Sequence, residues 1–349
     1  MIFRITMFVA ILRLLAAAPA GAATPEEALQ EALVLHEAGQ LKEAIQQYDR
    51  VIKANPRLAK AYLNRGNAYA ELGEDERVVK DYSETIRLDP KDGEALRARG
   101  DSYRRLGQRD PALKDYAAAV RILPDDPDIY LNRGTIYDAM KQYEAALRDY
   151  AEAIRLNPQY AEAYYNRGNT HASMGNSESA IEDYSRAIDL NGEFSEAYFN
   201  RADAYMKAGQ HEKAIEDYTE VIKAYPKASE AYYNRGLAYF RIEKTEEAIE
   251  DYNEAIRIDP KDAEAIYNRG LAYGRLGKDD YAARDFTEVV VMAPKNAEAY
   301  GQRGLARLRQ GRDKEAEADF QKAYQLDPNA KKKFSPLIEE AKKKSGGKK

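Results

Sequence analysis

Arginine and aspartate recur in this chain at a fixed spacing that could support ionic chemistry. Eight arginines follow one another at intervals of 34 residues, and an aspartate follows each of them 16 residues later. The arginines are Arg65, Arg99, Arg133, Arg167, Arg201, Arg235, Arg269 and Arg303, and the aspartates are Asp81, Asp115, Asp149, Asp183, Asp217, Asp251, Asp285 and Asp319. Because an arginine fork can bind a carboxylate bidentately, and a charge in a packing layer needs a partner, we predict structural ion pairs. The alternative is a row of arginines that binds anions.

The residues that usually support catalysis are scattered. The three histidines, His36, His171 and His211, are far apart in the sequence, and the chain has no cysteine. Neither histidines nor carboxylates cluster at the spacing of metal ligands, and the glycines occur singly rather than in a phosphate-binding loop. Serine and histidine never form a motif recognisable as a nucleophile and its base. The sequence therefore predicts that the protein is not an enzyme and has no metal or cofactor.

The elements that carry the arginines and aspartates repeat with the same period of 34 residues. Prolines keep this period at positions 56, 90, 124, 158, 226, 260, 294 and 328. Within 229–262, apolar residues recur at helical spacing in two stretches, with Ala231 and Tyr239 in the first and Ala248 and Tyr252 in the second. In most repeats a glycine separates the stretches, and the proline ends the second because its ring cannot continue a helix. Each repeat is predicted to be a helix–turn–helix.

The small residues, aromatic positions, terminal proline and period resemble those of tetratricopeptide repeats. The resemblance covers nine repeats over 25–330, with the bounds 25–58, 59–92, 93–126, 127–160, 161–194, 195–228, 229–262, 263–296 and 297–330. It implies an all-α fold, a right-handed superhelical α-solenoid whose first helices line a concave groove. The chain departs from the family pattern where arginine replaces the leucine before the first-helix glycine. An apolar face of Leu337, Ile338 and Ala341 after Pro336 predicts a capping helix within 331–349, followed by a lysine-rich tail.

The resemblance also implies that the protein is a non-catalytic scaffold, which binds an extended peptide or a partner protein in the groove. By the family pattern, the groove is lined by an asparagine row of Asn166, Asn200, Asn234 and Asn268. An asparagine amide can donate to and accept from a peptide group, so this row could hold an extended backbone without reading its sequence. The alternative is a local structural role for these amides.

Two further rows accompany the asparagines in repeats five to eight. The aromatic row is Tyr165, Phe199, Tyr233 and Tyr267, and the basic row is Lys207, Arg241 and Arg275. Aromatic residues together with arginine are typical of binding hot spots. The alternative is that the rings pack between helices while the cations are solvated. Acidic residues border the other side of the groove, at Glu162, Glu196, Glu230 and Glu264, and would select against very acidic ligands.

The distribution of charge disfavours nucleic acid as a partner. The formal charge of the chain is −5, but the last nineteen residues contribute +6 and Arg4 with Arg13 contributes +2, which leaves −13 on the rest. Helical repeats that read RNA need a basic surface. The lysine-rich tail suggests the alternative function, a membrane-associated assembly scaffold that contacts anionic lipid through Lys342, Lys343 and Lys344.

The amino-terminal residues 1–22 have the pattern of a secretory signal peptide. A basic start at Arg4 precedes an apolar stretch, and small residues follow it, so that cleavage is predicted near Ala22 or Ala23. The protein is therefore expected to be exported, to a bacterial periplasm or out of the cell, and the absence of cysteine fits an oxidising space. The alternatives are an uncleaved anchor or a poorly chosen start codon.

Overall fold

The computed structural model describes residues 24–346, with side chains described up to Lys343. This part of the chain forms nineteen α-helices and no β-strand. The prediction of an all-α solenoid is therefore confirmed. The predicted signal peptide and its cleavage site lie outside the described residues.

The chain divides into two compact units, the first ending at Pro158 and the second beginning at Gln159. Helix pairs of repeats one to four form the first unit: α1 (Pro25–Glu37), α2 (Leu41–Ala54), α3 (Ala59–Glu71), α4 (Asp75–Leu88), α5 (Gly93–Arg105), α6 (Arg109–Ile122), α7 (Pro127–Ala139) and α8 (Tyr143–Leu156). The second unit contains repeats five to nine and a terminal helix: α9 (Ala161–Ser173), α10 (Ser177–Leu190), α11 (Ser195–Lys207), α12 (His211–Ala224), α13 (Ser229–Arg241), α14 (Thr245–Ile258), α15 (Ala263–Arg275), α16 (Asp279–Met292), α17 (Ala297–Arg309), α18 (Asp313–Leu326) and α19 (Ala330–Gly346).

A residue with a left-handed backbone ends the first helix of each repeat. Seven repeats use glycine, as at Gly73 with a φ of 73°. Lys141 and Glu243 take the same conformation in repeats four and seven, with φ of 59° and 63°. Glycine reaches this region without steric penalty, whereas other residues crowd their Cβ against the backbone. The turn therefore persists in two repeats where the glycine signal is missing from the sequence.

The two helices of a repeat approach closely because a glycine of the first helix lies under an aromatic ring of the second. In repeat five, a Cβ built on Gly168 would lie only 2.8 Å from Cε1 of Tyr184, whose side chain is 1% exposed. Such contact leaves no room for even one methyl group between the helices. This glycine recurs in seven repeats, and repeats one and six have Ala32 and Ala202 in its place, so a small residue sets the distance between the two helices of a repeat.

First helices of neighbouring repeats also contact one another within each unit. In the second unit these contacts join α9 to α11, α13 to α15 and α15 to α17, and pairs of second helices lack contacts of this extent in both units. First helices therefore lie on the inner side of each unit. The term first-helix face is used below for the surface of the second unit that carries the asparagine, aromatic and basic rows.

The terminal helix differs from the prediction, which placed it after Pro336. Helix α19 begins at Ala330 and contains Pro336 in its interior. Its main anchor is Phe334, which is 0% exposed, whereas Leu337 is 36% exposed and does not join the buried face. The predicted start of the helix was wrong because the burial of Phe334 stabilises the helical turns that precede the proline. Of the predicted apolar face, Ala341 is buried and Ile338 packs against the same cluster.

Candidate binding site

All eight predicted arginine–aspartate pairs form, and each is a bidentate fork. The Nε–Oδ2 and Nη2–Oδ1 distances lie between 2.6 and 2.9 Å in every pair. The aspartates are buried, with exposures from 1% to 6%. Repeat one replaces the fork with a single hydrogen bond, in which the Gln47 amide donates to the Glu31 carboxylate at 3.1 Å. The structural interpretation of the arginines is confirmed, because their forks are occupied within the repeat.

Most of these arginines also reach the preceding repeat, a contact that the sequence pattern does not indicate. Their Nη1 atoms donate to a residue of the preceding second helix at 2.9 to 3.0 Å; the acceptors are Ser83, Ser185, Thr219 and Asn253. Arg65 donates to Asp49 in the same way. Arg133 lacks this bond, because Ala117 occupies the equivalent position. One guanidinium can therefore join three helices and two repeats.

Tyrosine stacks against the arginine from three positions earlier in the same helix. The guanidinium carbon of Arg201 lies 5.5 Å from the ring centre of Tyr198, and five other repeats have the same contact at 5.3 to 5.7 Å. Cation–π contact attracts the guanidinium through its flat face, while the carboxylate binds at its edge. Burial raises the pKa of Asp217, and the hydrogen bond from Arg201 acts against this rise. The arginine therefore favours the charged form of this buried carboxylate.

Two of the four predicted asparagines are already engaged within the protein. The Nδ2 atom of Asn200 donates to the hydroxyl of Tyr165 at 3.0 Å and to Oδ1 of Asn169 at 2.9 Å. In the same way, Asn268 donates to the hydroxyl of Tyr233 at 3.0 Å and to a backbone carbonyl of its own helix at 3.0 Å. Both amide hydrogens are used in each case, so only Oδ1 is left for a ligand.

The other two asparagines differ from these. Asn166 and Asn234 are half-buried on the first-helix face, and their side-chain amides form no hydrogen bond with the residues the structure describes. Their donors and acceptors are therefore open to a ligand. The asparagine row alternates, with open amides in repeats five and seven and engaged amides in repeats six and eight.

The aromatic row packs against the second helices. Each ring contacts the buried ring of its own repeat, with centroid distances of 5.9 Å for Tyr165–Tyr184, 5.7 Å for Phe199–Tyr218, 6.1 Å for Tyr233–Tyr252 and 5.5 Å for Tyr267–Phe286. All four rings of the row are half-buried. Burial and the nearby Glu264 carboxylate raise the pKa of Tyr233 to about 12, so its hydroxyl is neutral at physiological pH. The row forms a wall of the first-helix face and keeps part of its surface accessible.

The basic row is exposed, and its members differ in how firmly they are held. Arg275 is held on two sides, because its Nη1 donates to the carbonyl of Phe240 at 2.9 Å and its guanidinium carbon lies 3.7 Å from the Phe240 ring centre. Neither Arg275 nor Arg241 pairs with a carboxylate in the described part of the chain. Lys207 is exposed at the end of α11. The predicted acidic border is exposed too, at Glu162, Glu196, Glu230 and Glu264.

Three cavities open among these rows. One of about 430 Å³ is lined by Tyr165 and Asn166, one of about 330 Å³ by Asn200 and Lys207, and one of about 320 Å³ by Arg275. The structure does not bring Phe199, Asn234, Tyr233, Tyr267, Asn268 or Arg241 into these cavities. A larger cavity of about 710 Å³ lies along α16, and none of the predicted site residues lines it.

The remaining predictions concern metals, membranes and the tail. Within residues 24–343, no group of three or more histidines and carboxylates is arranged to hold a metal ion. None of the described helices is both long and apolar enough to cross a membrane. Lys342 and Lys343 are exposed at the end of α19, and the side chain of Lys344 lies outside the described residues.

Sequence profiles of known repeats match both units. A tetratricopeptide repeat profile matches residues 165–227, 199–263 and 267–331. A TPR repeat profile matches 32–73, 100–141 and 136–175, and a second tetratricopeptide repeat profile matches 59–92. The chain belongs to the tetratricopeptide repeat family. The TPR architecture supports a protein-interaction scaffold, and this fold is typically non-catalytic.

Several solved structures are similar to this chain. The C-terminal part of a TPR repeat-containing protein from Cytophaga hutchinsonii is 16% identical, with a TM-score of 0.61 over 69% of this chain and 98% of that chain. YrrB, described as a TPR protein with an unusual peptide-binding site, is 22% identical, with a TM-score of 0.50 over 54% of this chain and 97% of that one. MamA is 30% identical over 47% of this chain and 96% of that one, with a TM-score of 0.45. No curated protein matches the sequence of this TPR chain.

One TPR repeat of the second unit contains a buried hydroxyl without a partner. The ring hydroxyl of Tyr184 donates to Asn169 at 2.7 Å, whereas the hydroxyl of Tyr252 is buried and forms no hydrogen bond. The cause is Leu237, which stands where repeat five has Asn169. Repeats eight and nine have leucine in this place as well, and their rings are Phe286 and Phe320, which carry no hydroxyl.

We expect Tyr252→Phe to raise the free energy of unfolding by about 1 kcal/mol, because it removes an unsatisfied buried donor. Urea unfolding followed by circular dichroism measures the change. The matched control is Tyr184→Phe, which breaks a hydrogen bond and should lower stability by about 0.5–1.5 kcal/mol. An equal decrease in the free energy of unfolding of both variants would contradict the assignment of the Tyr252 hydroxyl as lacking a hydrogen-bond partner.

Proposed function

We propose that the first-helix face of repeats five to eight binds an extended peptide segment of a partner protein. The observation that carries the proposal is the pair of open amides at Asn166 and Asn234, half-buried on a face that also has accessible aromatic and basic residues. The amide atoms of Asn166 and Asn234 are not among the buried atoms that lack a partner, so water can satisfy them in the free protein. A peptide backbone offers each amide a donor and an acceptor in place of that water.

The spacing of the open amides suits an extended ligand. Asn166 and Asn234 are two repeats apart, and the engaged Asn200 lies between them with its Oδ1 available. Such a ligand donates one backbone N–H to Asn200, and exchanges donor and acceptor bonds with the two open amides. Its apolar side chains pack on the half-buried rings of Tyr165, Phe199, Tyr233 and Tyr267. Backbone contacts supply affinity in this arrangement, and the side-chain contacts supply selectivity.

The test begins with the full chain as bait for a displayed library of random nonapeptides. A selected peptide is then titrated by fluorescence anisotropy against Asn166→Ala/Asn234→Ala. Loss of two or more hydrogen bonds should weaken binding about tenfold or more. The variant should stay folded in circular dichroism, because neither amide has a partner in the free protein.

The control is Asn176→Ala, an exposed loop position whose side chain makes no capping hydrogen bond. It removes an asparagine of the same unit and should bind the peptide with the affinity of the unchanged chain. The proposal fails if Asn166→Ala/Asn234→Ala is folded and binds equally well, or if the library yields no peptide.

A further inference from the structure

The cavity beside Arg275 has a composition that sets it apart from the rest of the first-helix face. Its floor includes the rings of Phe240 and Phe286, and its rim includes Arg275 and Arg309. None of the described residues that line it is acidic. Arg309 pairs with Asp279 at 3.4 Å, whereas Arg275 pairs with no carboxylate of the described residues, so Arg275 supplies most of the uncompensated positive charge of this site.

A glycine creates the space for this cavity. Gly274 occupies the twelfth place of repeat eight, where repeats six, seven and nine have Met206, Phe240 and Leu308. The nearest atom to a Cβ built on Gly274 is Nη1 of Arg309, at 3.7 Å. A larger side chain in this place would project into the space between the two arginines. The cavity therefore depends on one residue that departs from the sister repeats.

Arg275 is positioned before any ligand arrives, whereas Arg309 is held less firmly. Arg275 is fixed by its hydrogen bond to the Phe240 carbonyl and by stacking on the Phe240 ring, and both contacts leave its Nε and Nη2 donors unused. Arg309 has only a long contact with Asp279, at 3.4 Å. A guanidinium held in one orientation loses less entropy on binding than a free side chain. Arg275 thus offers oriented donors beside the aromatic rings that line the cavity.

We propose that this cavity binds a carboxylate of the peptide ligand, and that it makes recognition selective for an acidic group. This inference rests on the proposed function of the first-helix face. A carboxylate accepts two parallel N–H donors from one guanidinium, which matches the free Nε and Nη2 pair of Arg275. The aromatic floor contacts the apolar part of the same side chain. The carboxylate can belong to a glutamate or aspartate side chain or to the end of a peptide.

Peptides selected from the nonapeptide library on the full chain supply the probes for the test. Each is synthesised in three forms. The first keeps its acidic residue and has an amidated carboxyl end. The second has glutamine or asparagine in place of the acidic residue and an amidated end, and the third has the same replacement but a free carboxyl end. We expect one carboxylate form to bind about tenfold or more tightly than the neutral form. The form that does so identifies a side chain or a chain end as the source.

Two variants connect this preference to the cavity. Arg275→Gln removes the donors and Gly274→Met fills the space, and both should reduce the preference for the carboxylate to less than about threefold. Sister repeats carry methionine and leucine in the place of Gly274, so this variant should remain folded. The charge control is Arg257→Gln, which changes an exposed arginine of α14 that pairs with Glu254 at 2.8 Å. Arg257→Gln should leave the preference for the carboxylate form of the peptide unchanged.

The outcomes separate this inference from the proposed function. If selected peptides depend on Asn166 and Asn234 but bind in all three forms within about twofold, the carboxylate site is overturned and the peptide groove survives. The same conclusion follows if the preference persists in both Arg275→Gln and Gly274→Met. If the library yields no binding peptide, the groove and the carboxylate site are both overturned.

Discussion

Replacing Arg201 with alanine is expected to lower the stability of repeat six by about 3–5 kcal/mol, the cost of breaking a buried ion pair from one side. Asp217 is 5% exposed and would lose its fork, while Ser185 of the preceding repeat would lose its donor. Each repeat contacts mainly its neighbours, so the loss should be local. Hydrogen exchange of the α11 and α12 amides, together with urea unfolding, measures it.

The loss of stability caused by Arg201→Ala is expected to depend on pH. Burial already raises the pKa of Asp217, and removal of Arg201 removes the main opposing influence. A carboxyl whose pKa is raised in the folded state destabilises that state at pH values above the ordinary aspartate pKa, where it must be buried as an anion. The deficit of Arg201→Ala relative to the unchanged chain should therefore shrink as the pH is lowered.

Arg133→Ala is the matched comparison for this experiment. Arg133 forms the same fork with Asp149, but Ala117 in the preceding repeat provides no third bond. Arg133→Ala should lower the free energy of unfolding by about 1 kcal/mol less than Arg201→Ala does, because that is the typical net value of one hydrogen bond. If Arg201→Ala costs less than about 1 kcal/mol, like an exposed pair, the forks do not stabilise the repeats.

Phe334→Ala is expected to destabilise the terminal helix by about 3–5 kcal/mol and to release α19 from repeat nine. The ring is 0% exposed and packs in one cluster with Phe320, Leu305 and Ala330. Truncation leaves a cavity and removes the anchor that precedes Pro336. Limited proteolysis and hydrogen exchange of α19 report its release.

Leu337→Ala is the control for Phe334→Ala, because Leu337 lies in the same helix and is 36% exposed. It should cost less than about 1 kcal/mol. Gly301→Ala tests the contact from the other side, since a Cβ on Gly301 would lie 2.2 Å from the Phe334 ring. Unchanged protection of α19 in both Phe334→Ala and Gly301→Ala would show that another contact holds this helix.

The sequence was sufficient for the repeats and for the ion pairs because both depend on residues that recur with one period. Arg201 and Asp217 are each one member of a series, and their joint presence or absence indicates contact. The hydrogen bond from Arg201 to Ser185 could not be predicted from the sequence, because the acceptor at the equivalent position is serine, threonine, asparagine or aspartate in different repeats. Positions that all offer an acceptor oxygen but differ in residue type are harder to recognise in a sequence than positions that repeat one residue type.

In the asparagine row, by contrast, the same residue type at the same place does not mean the same role. Asn166 and Asn200 have the same residue type and the same place in their repeats, and the sequence assigned them one role. The structure separates them, because Asn200 finds the hydroxyl of Tyr165 and the side chain of Asn169, whereas Asn166 has no such partners. Which amide is open depends on the neighbouring repeat. Periodicity within one repeat therefore could not reveal it.

Gly301 stands where repeats five to eight have the aromatic row, and Phe334 of α19 packs into the space that this glycine leaves. Repeat nine is therefore not interchangeable with the others. Internal repeats are similar in their contacts, because most of the arginines join the same places of one repeat and of the one before it. Gene duplication or loss of a 34-residue segment could lengthen or shorten such an array in its interior while its closing repeat is inherited unchanged. Array length and array termination can thus evolve separately.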